Sequence, residues 1–312
     1  MKRSWILALA ALTLSVLVPE LRSSEASACA AIGRRGPMPI EGEEALIVWD
    51  AERRTQHFVR TAAFSGADAD FGFLVPTPSR PELAEVAEDV FQRLFEVYRA
   101  PPPPAPQRAD RSRSRGLLTS AATPPVEVLE RRTVAGLDAA ILRANDASAL
   151  DAWLARHGYP SSDALRTWLA PYVSRGWIVT AFRIDPGAQR GTGFATRALR
   201  MSFQTDTPFF PYSEPASPNA SPRPFRVSVV SSTRMRVRAG TAGWSGRVGY
   251  ADRPGAALSS ALRGIVPREG VGAWLTVFDE PRSQRGRDDL FFEPDPSTAR
   301  TPSVLTAPIV AR

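Results

Sequence analysis

At 312 residues, 43% of them hydrophobic, the chain can bury a real core and fits one large domain or two modest ones. Its formal charge of +7 is carried by arginine, because Lys2 is the only lysine. Once a leader removes Lys2, Schiff-base catalysis, a Walker-type phosphate loop and a Ser-x-x-Lys nucleophile are all excluded, since each needs a lysine.

The N-terminus reads as such a leader. Lys2 and Arg3 form a basic start, residues 5–18 are apolar but short for a bilayer span, and Ala26-Ser27-Ala28 supply the small residues a signal peptidase reads. Cleavage is expected after Ala28, leaving Cys29 first in a chain exported to the periplasm, the cell surface or the medium. A leading Cys raises lipid anchoring. Ala26, standing where lipoprotein leaders carry a bulky aliphatic, and the charged stretch from Glu20 to Glu25 disfavour it. Cys29 is the only cysteine, so no disulfide can form within the chain. No apolar run after residue 28 reaches membrane length, so no transmembrane segment is expected in the mature chain.

Residues 29–44 read as irregular. Residues 45–50, 55–64 and 71–76 then read as three successive strands joined by short polar connections. The first and third are almost continuously apolar, the pattern of strands buried on both faces. In the second, Phe58, Ala62 and Phe64 face one way, and His57, Val59, Thr61 and Ala63 the other. Ser79 and Glu82 have capping-box spacing, and Leu83, Val86, Val90, Phe91, Leu94, Phe95 and Tyr98 follow with a helical period.

Residues 99–124 are rich in proline and arginine and read as a solvated, extended linker. Five arginines stand there against one aspartate in residues 99–115, so much of the basic excess lies off any folded face. Nucleic acid is therefore a poor partner. Strands are expected at 126–130 and 137–142. Asp146 caps a helix bearing Leu150, Trp153 and Leu154 that Gly158 ends, and a second helix carries Leu165, Trp168, Leu169, Tyr172 and Val173. Pro171 kinks it or tightens its last turn, and Gly176 closes it. Further strands are expected at 177–184, 199–204, 225–231, 234–238 and 273–278.

The fold class expected is α+β: a largely antiparallel sheet with about three helices packed on it. The linker would divide a first lobe (29–98) from a second (125–293), with a loose tail at 294–312.

Several stretches together resemble one known family. They are the leader followed at once by Cys29; Ala45-Leu46-Ile47-Val48-Trp49-Asp50; Phe71-Gly72-Phe73-Leu74-Val75-Pro76-Thr77-Pro78-Ser79; Tyr172-Val173-Ser174-Arg175-Gly176-Trp177 after the paired helices; and Asp288-Asp289-Leu290-Phe291-Phe292-Glu293-Pro294. They are similar to the bacterial domain-of-unknown-function family numbered 2330. That family shows more cysteines close behind the first, where this chain has Ala30 and Ala31. The resemblance implies an exported protein and brings no activity, ligand or catalytic residue.

Few residues offer chemistry. Asp68 and Asp70, beside Gly66, can contribute to a calcium site but lack the rest of a calcium loop, and an Asp-capped turn fits them better. His57 and His157 have no ligand partner at zinc spacing, and His157 suits a helix C-terminus. Ser245 in Gly243-Trp244-Ser245-Gly246 has the wrong spacing for a nucleophile elbow. Arg190-Gly191-Thr192-Gly193 has neither helix nor lysine behind it. Trp49, Trp153 and Trp168 fall on core-facing patterns. Arg234, Arg236 and Arg238 alternate with Met235 and Val237, forming either a guanidinium row for an anionic polymer or the charged edge that deters strand pairing. No cofactor is expected. Two function classes stay open: a non-enzymatic exported protein that binds an anionic envelope polymer or another envelope protein, and an extracytoplasmic hydrolase using carboxylates such as Asp68, Asp70, Asp288 or Asp289.

Overall fold

A computed structural model of the chain describes residues 32–33, 36–37, 40–65, 71–100, 126–159, 161–184, 193–216, 222–265 and 272–310. The leader, its cleavage site at Ala28 and Cys29, the linker core and the Asp68–Asp70 loop lie outside the described residues. Two large sheets face each other. One runs β15 (Arg247–Asp252), β16 (Trp274–Ser283), β13 (Arg223–Ser231), β3 (Ile40–Asp50), β4 (Thr55–Ser65), β11 (Leu199–Gln204), β6 (Glu82–Glu85), with β10 (Gly193–Ala195) also on β4. The other runs β2 (Gly36–Pro37), β1 (Ile32–Gly33), β5 (Phe71–Thr77), β9 (Ile178–Ile184), β8 (Leu137–Ala144), β7 (Val126–Val134). A third, small sheet is β12 (Phe209–Phe210), β17 (Leu290–Pro294), β14 (Met235–Val237). Among the described pairings all are antiparallel except β3 with β13.

The layers follow from side-chain alternation. On β3, Ala45 and Ile47 point between the sheets, into a core shared with Phe58, Phe73, Phe182 and Phe225. Leu46 and Val48 point outward, beneath α1 (Val90–Tyr98) and α4 (Ala256–Ala261). On β5, Phe73 and Val75 enter the central core, while Leu74 packs under α2 (Ala147–Arg156) and α3 (Asp163–Ser174). The result is helices, sheet, sheet, helices. Covering both faces of each sheet is what the unbroken apolar runs require.

Several expectations need correction. The protein is more strand-rich than the α+β reading, with four helices among the described residues. The three early strands are not one meander: β3 and β4 form a hairpin, but β5 leaves for the other sheet and pairs with β9. Hence the segment before the linker makes no separate lobe, because its strands sit inside both sheets. The helix expected from Leu83 begins only at Val90. Leu83 is buried instead by pairing Glu82–Glu85 with β11, and the Ser79 hydroxyl is drawn away from any cap to Gln204, donating to its carbonyl (3.0 Å) and accepting from its N–H (2.9 Å).

Elsewhere local chemistry sets the elements as read. Asp146 accepts from the Ala149 N–H (2.7 Å), and Ser162 caps α3 through the Leu165 N–H (3.1 Å). Gly158 and Gly176 end these helices at φ of 81° and 70°. The last turn of α3 tightens, with Arg175 N–H reaching the Tyr172 carbonyl. β7 and β8 join through Ala135 and Gly136, both at positive φ (53° and 73°), the geometry of a two-residue turn that fixes register. The residues after Pro294 run back over the eight-stranded sheet. Thr301 bridges Ala251, Leu305 is buried, and the Ala307 carbonyl accepts from Arg226 (2.9 Å).

Phe182 is fully buried and stacks on Phe73 at 4.7 Å across the β5–β9 pairing. Phe182→Ala is expected to cost about 3–5 kcal/mol, read from the urea midpoint. A loss below about 1 kcal/mol would place that ring outside the central core.

Candidate functional site

A concavity lies on the six-stranded sheet, on the face that α2 and α3 only partly cover. It holds about 330 Å³ and is lined by Arg131 and Thr133 of β7, Asp138 of β8, Arg183 of β9, and Trp153 and His157 at the end of α2. Register explains why these meet. Arg131 pairs with Ala140, Thr133 with Asp138, and Asp138 with Arg183, so three adjacent strands present Thr133, Asp138 and Arg183 abreast. The Ala135-Gly136 turn sets that register.

The wall is a stack. The His157 ring lies 3.8 Å from Trp153, nearly parallel, and the Arg131 guanidinium lies 5.5 Å from the centroid of the same indole. His157 Nδ1 is 2.7 Å from the Trp153 carbonyl, which fixes the imidazole at the helix end. Behind them the Tyr159 ring lies on the β5 backbone, where a Cβ at Gly72 would come within 2.6 Å of it. Two of the groove's arginines have acidic company: Arg183 is 3.8 Å from Asp138, and Arg132 turns to Glu130 (3.6 Å) and the Leu83 carbonyl. Arg131 is exposed and, among the described residues, has no carboxylate partner.

A second constellation is buried. Glu43 lies between the sheets with the Arg60 and Arg285 guanidiniums on its carboxylate. Arg285 also lies 3.0 Å from Glu214, which pairs with Arg223, and its guanidinium sits over Phe225 (4.1 Å) and Tyr212 (4.4 Å). Burial alone would push the Glu43 carboxyl up, but Arg60, Arg285 and Arg223 together hold it below the ordinary range. For Glu214 burial wins over Arg223 and Arg285, and its carboxyl is pushed up. On the opposite face of β3, Glu44, Arg226 and Asp279 stand abreast on three strands, with Arg226 2.7 Å from Asp279. These groups are sealed from solvent and knit elements together.

The residues singled out from the sequence are dispersed. Arg234 lies 3.1 Å from Asp295, Arg236 is 2.8 Å from Glu293, and Arg238 is 3.6 Å from that same glutamate, so all three guanidiniums lean on carboxylates of β17 or just after it. Asp288 accepts from the Ala242 N–H (2.9 Å). Asp289 is buried, accepting from the Tyr172 hydroxyl (2.9 Å) and the Ser213 N–H (3.1 Å), and burial pushes its carboxyl up to about 6. Ser245 donates to Glu280 (2.7 Å), which also accepts from Tyr212 (2.7 Å). His57, half-buried, meets the Ser202 hydroxyl at 2.9 Å on the adjacent strand, and burial and Arg200 push its imidazole down. Trp153 and Trp168 are buried, and the Trp168 indole N–H donates to the Ser213 carbonyl (2.9 Å). Among the described residues no three His, Cys, Asp or Glu side chains gather as metal ligands do.

Sequence reasoning missed Glu43 and Glu44, because residues 40–44 continue β3 instead of being irregular. A usable signal existed. Arg60 and Arg226 interrupt apolar strand runs, and an arginine on a buried face implies an acidic partner. The groove had no such signal, since its residues come from three strands and a helix end.

A family model described as an uncharacterized protein conserved in bacteria (DUF2330) matches residues 24–283. No curated protein matches. The crystal structure of baculovirus P35 is similar over 82% of this chain and 97% of its own, at 7% identity and a TM-score of 0.41, a level that carries no argument.

Glu43→Gln removes the charge shared by Arg60 and Arg285 and is expected to cost about 3–5 kcal/mol. The pH dependence has a definite sign. A carboxyl held low in the folded state stabilises above its ordinary value of 4.5 and loses that contribution as pH falls through the folded value. Melting curves should therefore show wild type losing its advantage over Glu43→Gln below that pH. A gap independent of pH would contradict the assignment.

Proposed function

The chain belongs to the DUF2330 family of uncharacterized bacterial proteins, and we propose that it is an exported, non-enzymatic protein that binds an anionic envelope ligand in the groove between β7, β9 and the end of α2. One observation carries the reading. The Arg131 guanidinium lies over Trp153, open to the groove and without an acidic partner among the described residues. A pre-placed guanidinium fork loses little freedom when it takes a carboxylate or phosphate. The leader pattern in residues 1–28 supports export. No described helix is long and apolar enough to cross a membrane.

The hydrolase alternative draws less support. General acid–base work on a bound substrate asks for two carboxyls or a carboxyl and a base facing one cleft. The groove is lined by one carboxylate, Asp138, and one imidazole, His157, whose ring is stacked on Trp153 with Nδ1 2.7 Å from that residue's carbonyl, so the possible base is engaged by its own helix end. Asp289 has a raised carboxyl, but it is buried under Tyr172 and Ser213. The Arg234, Arg236 and Arg238 row is the other seat for an anion, and its paired guanidiniums make it the weaker one.

Two measurements test the proposal. N-terminal sequencing of protein recovered from a bacterial host should find Cys29 first in the extracytoplasmic fraction; intact Met1 in the cytosol would overturn export. On a dextran sulfate column, Arg131→Ser with Arg183→Ser should elute at clearly lower salt than wild type. The Arg234→Ser, Arg236→Ser, Arg238→Ser triple variant should shift less, although it loses more charge. The reverse order would move the seat to the row.

A further inference from the structure

The geometry points to a specific ligand chemistry for the groove: one hydroxy-carboxylate ring unit, the chemistry of an acidic sugar, with its carboxylate on Arg131 and its hydroxyls on Asp138. This deepens the binding reading above and rests on it. Charge balance comes first. Arg183 faces Asp138, and Arg132 turns away to the Leu83 carbonyl and to Glu130, which it shares with Arg80, so Arg131 is the groove guanidinium with no carboxylate beside it among the described residues. A monoanion neutralises it. A phosphate monoester, near two negative charges at neutral pH, would leave excess charge beside the Asp138 carboxylate.

The acceptor comes second. An ionised carboxylate accepts through two oxygens and about four lone-pair directions. Among the described residues Asp138 takes one hydrogen bond, from the Thr133 hydroxyl at 3.0 Å, and its side chain is 52% exposed. Directions remain for ligand hydroxyls, which a purely apolar acid would not use. Size comes third. At about 330 Å³ the groove is at the small end of ligand sites, which run from roughly 300 to 1,000 Å³. It suits one ring, either a free acid or the terminal unit of an acidic chain. Trp153 is buried, with His157 and Arg131 against its ring, so the indole orients the guanidinium and does not serve as a stacking platform.

The test titrates the purified mature chain calorimetrically with glucuronate, glucose and glucose 6-phosphate, and separately applies a polyuronate, alginate, to immobilised protein. Glucuronate should bind at least tenfold more tightly than either comparator. Arg131→Gln should weaken it tenfold or more, and Arg131→Lys by less. Arg131 is exposed, so unchanged melting of both variants is the folding control. Asp138→Asn is the sharper readout: it should weaken glucuronate yet improve glucose 6-phosphate. Glucose binding as well as glucuronate, an unaltered Arg131→Gln, or a phosphate preference in wild type would each overturn the assignment. If alginate is held through Arg131 while glucuronate is not, the single-unit inference fails and the binding reading stands. If neither is held, both fail.

Discussion

The structure depends on where Glu43 puts its charge. Its carboxylate is fully buried between two sheets and is matched by Arg60 from the adjacent strand and Arg285 from the loop after β16. Burying an ion costs several kcal/mol unless the geometry repays it. That cost makes the arrangement selective. Only a fold that brings residues 43, 60 and 285 together, with Glu214 and Arg223 completing the set, can hide these charges at all. Apolar packing against Phe225 and Tyr212 confines Arg285 further. The cluster therefore acts less as a source of stability than as a condition on which packing is allowed.

β3 is the element through which this condition spreads. It lies in the middle of the eight-stranded sheet, between β13 and β4. Glu43 serves its inner face, and Glu44, with Arg226 and Asp279, serves its outer face. Pairing β3 parallel to β13 requires a long crossover. The chain uses that crossover to lay down β5, β8 and β9 of the second sheet before returning. Neither sheet is complete without strands from both sides of the linker. The groove is tied to this arrangement, since β7 pairs with β8, β8 with β9, and β9 with β5.

Much of the fold was legible where one physical signal sufficed. The runs at 45–50 and 71–76 announced strands buried on both faces, and Leu46, Ile47, Leu74 and Val75 are buried as that pattern requires. Asp146 and Gly158 bounded α2 because caps are local chemistry. The failures arose where a distant partner overrode a local pattern. Ser79 and Glu82 satisfy a capping box on paper, yet Ser79 answers to Gln204, 125 residues away. A proline-rich break looked like a domain boundary because composition reports solvation, not strand order. Residues 295–310 lack periodicity, and only Leu305 and Val310 of them are buried apolar anchors. The groove was illegible for the same reason as the cluster: Arg131, Asp138, Arg183 and His157 become neighbours only through register.

With its central strand held by charges on both faces, the chain should open as one cooperative body, the groove included. Native-state hydrogen exchange across a denaturant series tests this most directly. The slowest amides of β3, β4 and β5 should converge with those of β8, β9 and β13 on one shared opening free energy. Two separate isotherms, one for residues 40–98 and another for 126–283, would contradict it.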